Sequence, residues 1–125
     1  MSKLIKNINL INLAAKNNKI VTTLQVTKSI TRILDILVEY NMIEYQILNT
    51  NKAIVNLHYN SLRPIVKSIN YMGGNYYNNI NHIYAKKELS NKKSFYLVRT
   101  SLGIMTLESA VKQRLGGTLL FKITI

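Results

Sequence analysis

The sequence predicts an α+β fold of two small lobes: an N-terminal helix-strand-helix-hairpin lobe over residues 1–71, and a C-terminal, mostly β lobe with one short helix over residues 72–125. Three observations predict it. Apolar residues recur at helical spacing in two stretches of the first half, and runs rich in β-branched residues or alternating with period two follow them. A glycine pair opening an Asn/Tyr-rich stretch then interrupts the chain near its middle.

From Leu4 to Ala15, the residues Leu4, Ile8, Ile11 and Ala15 mark one face of a short amphipathic helix, with Lys and Asn between them. An import leader is also basic and poor in acids, but this stretch has no arginine and its pattern runs straight into the next element. Ile20 to Gln25 is β-branched enough for a strand. Thr27 offers a helix N-cap, and Ile30, Ile33, Leu34, Leu37 and Tyr40 form an apolar face opposite Lys28, Arg32, Asp35 and Glu39. Asn41 can take the left-handed conformation that ends such a helix. Met42 to Leu48 and Ala53 to Tyr59 read as a hairpin around Asn49-Thr50-Asn51-Lys52.

Beyond Pro64, Ile65 to Tyr71 reads as a further strand, and Gly73-Gly74 opens a long loop to Asn81. Ser94 to Arg99 is another strand. Thr106 caps a short helix to about Arg114, closed by Gly116-Gly117. The last strand, Thr118 to Ile125, alternates Leu119, Phe121, Ile123 and Ile125 inward against Thr118, Lys122 and Thr124 outward.

Charge bounds the function. The formal net charge is +12, from 17 basic and 5 acidic residues, and the basic side chains are spread along the chain. A diffuse positive field over a folded body suits a wrapped polyanion, so nucleic acid is the expected partner ahead of an anionic membrane. There is no cysteine, which excludes disulfides, thiolate zinc sites and cysteine nucleophiles. No apolar run approaches the roughly 18 residues of a membrane span. Asn and Ile make up roughly a quarter of the chain, far above average usage. Both have A/T-rich codons, which points to an A/T-biased genome such as a mitochondrial one, ahead of a plastid or a bacterium.

Catalysis is poorly supplied. His58 and His82 fall in different elements, the carboxylates are scattered, and there is no phosphate loop, metal-ligand spacing or nucleophile elbow. No cofactor, metal or small-molecule substrate is expected. The segment Thr100-Ser101-Leu102-Gly103-Ile104-Met105-Thr106 is richer: hydroxyls and a glycine gather where a strand leads into a helix, a point suited to phosphate oxygens or ribose hydroxyls. A plain capped turn is the competing reading. Lys86-Lys87 and Lys92-Lys93 read as phosphate contacts or as a solvated face. The tyrosines Tyr71, Tyr76, Tyr77 and Tyr84 read as base-stacking groups or, with this codon bias, as simple replacement aromatics.

Here the chain resembles the small-subunit ribosomal protein eight family. That family's signature is Ser-Thr-Ser-Lys-Gly-Val-Met-Thr, followed by a Gly-Leu-Gly-Gly turn and a final strand. The matching residues are Arg99-Thr100-Ser101-Leu102-Gly103-Ile104-Met105-Thr106, then Arg114-Leu115-Gly116-Gly117. Lys28 to Ile43 resembles the family's second helix, between Val26-Thr27-Lys28 and Asn41-Met42-Ile43. The departures are Leu102 for the signature lysine, Arg99 for the first serine, Gln25 for a usual proline, Glu108 and Val111 where arginine is common, and Tyr71-Met72-Gly73-Gly74 for a Ser-Arg-Pro-Gly-like loop.

The resemblance implies a two-lobed protein that binds the central domain of small-subunit rRNA, supports early assembly and contacts neighbouring small-subunit proteins. It maps the RNA-binding loop onto Thr100, Ser101, Gly103 and Thr106. Charge adds Lys86 and Lys87, and Arg99 and Lys112 would restore charge lost at the departures. The expected setting is a mitochondrial ribosome in the matrix. A free-standing RNA-binding or RNA-folding factor on the same fold is the alternative.

Overall fold

The computed structural model describes residues 2–48, 51–73, 76–77 and 94–125. They form two compact units, Met1–Ser68 and Ile69–Ile125. In the first, helix α1 (Ser2–Lys16) precedes strand β1 (Val21–Gln25), helix α2 (Lys28–Glu39) and the hairpin β2 (Ile43–Ile47) and β3 (Lys52–Leu57). A small hairpin, β4 (Tyr59–Asn60) and β5 (Arg63–Pro64), closes the unit. The alternation expected to run unbroken to Tyr59 is interrupted at His58, so this second hairpin is separate from the first.

Helix α1 buries Leu4, Ile8, Ile11 and Ala15 as its spacing requires, and adds Asn7 and Ala14. In α2 the hydroxyl of Thr27 accepts the N–H of Ile30 at 3.2 Å, and Ile30, Ile33, Leu34, Ile36 and Leu37 are buried. Tyr40, expected on that face, is the exposed C-cap residue instead, and Ile36 completes the stripe.

Both helices end alike. Asn18 (φ 54°) and Asn41 (φ 57°) turn left-handed, so that Lys19 N–H reaches Ala14 O at 2.8 Å and Met42 N–H reaches Leu37 O at 3.0 Å. These are Schellman closures, with asparagine in the place glycine usually takes. The sheet has the order β1-β3-β2, antiparallel throughout, with Leu24, Ile43, Ala53, Val55 and Leu57 on its buried face.

The second unit contains β6 (Ser68–Tyr71), β7 (Tyr76–Tyr77), β8 (Ser94–Thr100), β9 (Gly103–Thr106), helix α3 (Leu107–Lys112) and β10 (Gly117–Thr124). Its sheet runs β6-β10-β8-β9, and β7 also pairs with β10. The sequence boundary near Tyr71 and the division after Ser68 differ by β6, which pairs with β10. Of the strand expected from Ile65, only Ser68–Tyr71 forms.

Two further expectations change here. Helix α3 ends at Lys112 and is closed by Arg114 at φ 55°, not by Gly116-Gly117; Leu115 N–H meets Ala110 O at 3.0 Å, and Gly117 already belongs to β10. The final strand is also not a single alternating face. Leu119 lies opposite Val98 but Phe121 lies opposite Leu97, because the ladder shifts at Leu120. Adjacent residues of β8 face opposite sides, so this bulge sends Leu119 to one face and Phe121 and Ile123 to the other. Leu119 joins the cluster of Tyr96, Val98, Met105, Leu107 and Ala110 beneath α3. Ile125, expected inward, is exposed.

Within the loop expected from Gly73 to Asn81, Tyr76–Tyr77 form β7; residues 78–93, with His82, Tyr84, Lys86, Lys87, Lys92 and Lys93, lie outside the described residues, as do Asn49, Thr50, Gly74 and Asn75. No helix among the described residues is long and apolar enough to cross a membrane.

Candidate nucleic-acid interface

The hydroxyl-rich segment is a β-hairpin rather than a strand leading directly into a helix. Thr100 of β8 pairs with Gly103 of β9, and Ser101 and Leu102 form the turn between them. The positive φ falls on Gly103, at 111°, as in hairpins where a left-handed glycine follows the turn. Nothing lies within 4 Å of where a Cβ on Gly103 would stand, so its outer side is open to a close partner.

Thr100 points inward and is 9% exposed. Its hydroxyl donates to Gly103 O at 3.0 Å and accepts Leu102 N–H at 3.1 Å. That oxygen therefore ties the two ends of the turn together, which makes Thr100 a positioning residue for the tip.

The tip itself consists of Ser101, Leu102 and Gly103, all exposed, and Leu102 is 70% accessible. Ser101 has no hydrogen-bond partner among the described residues, so its hydroxyl is available as donor and acceptor. Arg99 is exposed two residues behind the tip and lies opposite Ile104 on β9 and Thr118 on β10.

The hairpin base is held from the other side by Gly117. A Cβ there would stand 2.4 Å from the Arg99 carbonyl oxygen, so only glycine lets β10 approach β8 this closely. The sequence marks this position only as part of a Gly-Gly turn.

The remaining candidates are not gathered at the tip. Thr106 stands at the far end of β9, roughly 10 Å along the strand from Gly103. Its hydroxyl accepts Ser109 N–H at 3.2 Å and caps α3. Lys112 faces Glu108 one turn away at 3.5 Å, an exposed pair of little energetic weight. Lys86 and Lys87 fall outside the described residues.

His58 has a structural setting. Its Nδ1 lies 3.0 Å from Asn41 O and its Nε2 lies 3.5 Å from Glu44 Oε1. The Ser101 hydroxyl and the open backbone at Gly103, on a fixed turn with the Arg99 guanidinium behind it, suit hydrogen bonds to phosphate and ribose oxygens.

A family model described as Ribosomal protein S8 matches residues 3–124 of this chain. The chain belongs to the ribosomal protein S8 family. No individual curated protein matches it. Membership makes it a protein of the small ribosomal subunit that binds rRNA and neighbouring ribosomal proteins, with a structural and not an enzymatic role in translation.

Proposed function

We propose that this chain is a constituent of a mitochondrial small ribosomal subunit, where it holds the central domain of the rRNA during assembly through the tip of the β8–β9 hairpin. The observation that carries the reading is the tip itself. Ser101 and Gly103 are presented to solvent on a turn that Thr100 fixes from within and Gly117 fixes from below.

The net charge of +12 supplies long-range attraction to RNA. The tip then favours one RNA shape over others through hydroxyl and backbone contacts. Arg99 and, further off, Lys112 add positive charge in place of the signature lysine that Leu102 replaces. The mitochondrial setting is supported by the A/T-driven excess of Asn and Ile.

The test is binding of the purified chain to a central-domain fragment from an A/T-rich mitochondrial small-subunit rRNA, with a scrambled RNA as control, alongside sedimentation of the chain in mitochondrial extracts. Tight, fragment-selective binding and co-migration with small subunits are expected. Protein that sediments apart from ribosomal particles would favour a free-standing RNA-folding factor instead.

A further inference from the structure

The first unit carries an apolar groove that the RNA-binding reading leaves unused. Its floor is the buried Leu57, its walls are Ile20, Tyr59 and Ile65, and Leu62 forms its lip, around a space of about 670 Å³. The walls are fixed: Leu57 N–H donates to Ile20 O at 2.8 Å, and the Tyr59 hydroxyl donates to Lys19 O at 2.8 Å.

Two large apolar side chains nevertheless face water here, Ile20 at 66% and Leu62 at 89% exposure. Leu62 sits at the tip of the β4–β5 hairpin, next to Ser61 at φ 62°, a left-handed conformation disfavoured for serine. A strained turn that holds a leucine in solvent gives the isolated chain no stability. A clustered exposure of this kind marks an interaction surface.

We infer that this groove receives an apolar side chain from a neighbouring small-subunit protein, on a segment flanked by Asp or Glu. No lysine or arginine lines the groove, so what it offers at Ile20 and Leu62 is contact for an apolar side chain, which a protein segment carries and an RNA backbone does not. The chain positions beside those two residues are Lys19 and Arg63, both exposed and neither with a carboxylate partner among the described residues. Apolar floor and cationic flanks together fit an acidic segment with an apolar anchor, and an anchor buried in such a groove carries much of the affinity of a contact. The inference rests on the placement of the chain in a small ribosomal subunit.

The experiment is site-specific photo-crosslinking in assembled small subunits, with a benzophenone amino acid at position 62 of the full chain. The expected result is a crosslink to one protein segment in which an apolar residue is flanked by acids. Leu62→Asp is expected to lower occupancy of that protein in the particle about tenfold, while incorporation of the chain and its rRNA affinity stay unchanged. Crosslinks to rRNA, crosslinks to a second copy of this chain, or no protein crosslink from incorporated chain would each overturn the inference alone. A chain that never enters the particle would overturn the ribosomal reading and this inference with it.

Discussion

Single side chains decide how the hairpin and the first unit are held. Asn7, buried in α1, donates from Nδ2 to Gln25 O at 2.8 Å and accepts Gln25 N–H at 3.3 Å. Its amide thus takes the place of a neighbouring strand at the edge strand β1 and covers an otherwise open backbone pair. Asn7→Ala is expected to destabilise the protein by about 1–3 kcal/mol in urea unfolding, since both backbone groups lose their partner.

Tyr45 donates to the carboxylate of Asp35, and this hydrogen bond, with burial and the negative charge as lesser causes, raises its pKa above the usual tyrosine range. The sign follows: the protonated phenol is the bonded form, so its stabilisation is complete below about pH 10 and is lost as pH rises through the raised value. Absorbance titration of the phenols should show one late tyrosine that disappears in Tyr45→Phe. The Thr100 hydroxyl makes a third such link: Thr100→Val should loosen the tip and weaken RNA binding, and Thr100→Ser should restore it.

At the scale of the elements, the long periodic segments were legible because their burial repeats at the helical or strand period. The stripe of Leu4, Ile8, Ile11 and Ala15 predicts α1 as observed. Strand β9 was not legible, because four residues beginning in Gly103 and ending in the capping Thr106 carry the chemistry of a turn. The inward role of Thr100 was hidden for the same reason: without the β8–β9 register, three neighbouring hydroxyl and glycine residues look equally exposed. The bulge at Leu120 escaped because residues 118–125 alternate well enough to suggest one face, and the adjacent Leu119 and Leu120 were the only sign against it.

Arg114 shows a local conflict between side chain and backbone. It stands where the family motif carries glycine, and the backbone keeps the left-handed φ of 55°. Arg114→Gly should therefore raise stability by about 1 kcal/mol. If this exposed arginine meets a phosphate, the same change lowers the salt slope of RNA binding by about 0.7–0.9.

For the molecule as a whole, charge and shape have separate tasks. The net charge of +12 attracts any RNA, so it sets affinity and salt dependence without choosing a sequence. In the proposed function, selection belongs to the hairpin tip, where few groups project but the turn is held by backbone pairing, Thr100 and Gly117. Leu102→Lys should then steepen the salt slope by about one phosphate contact and raise affinity for specific and scrambled RNA alike.

The most direct measurement compares the intact chain with Ser101→Ala for binding to the central-domain fragment and to its scrambled control, across a salt series. The account predicts that Ser101→Ala weakens the specific complex by about 1–3 kcal/mol while leaving its salt slope and the scrambled-RNA affinity unchanged. Equal affinity of both proteins for the fragment, with no preference over the scrambled RNA, would contradict the assignment of recognition to the hairpin tip.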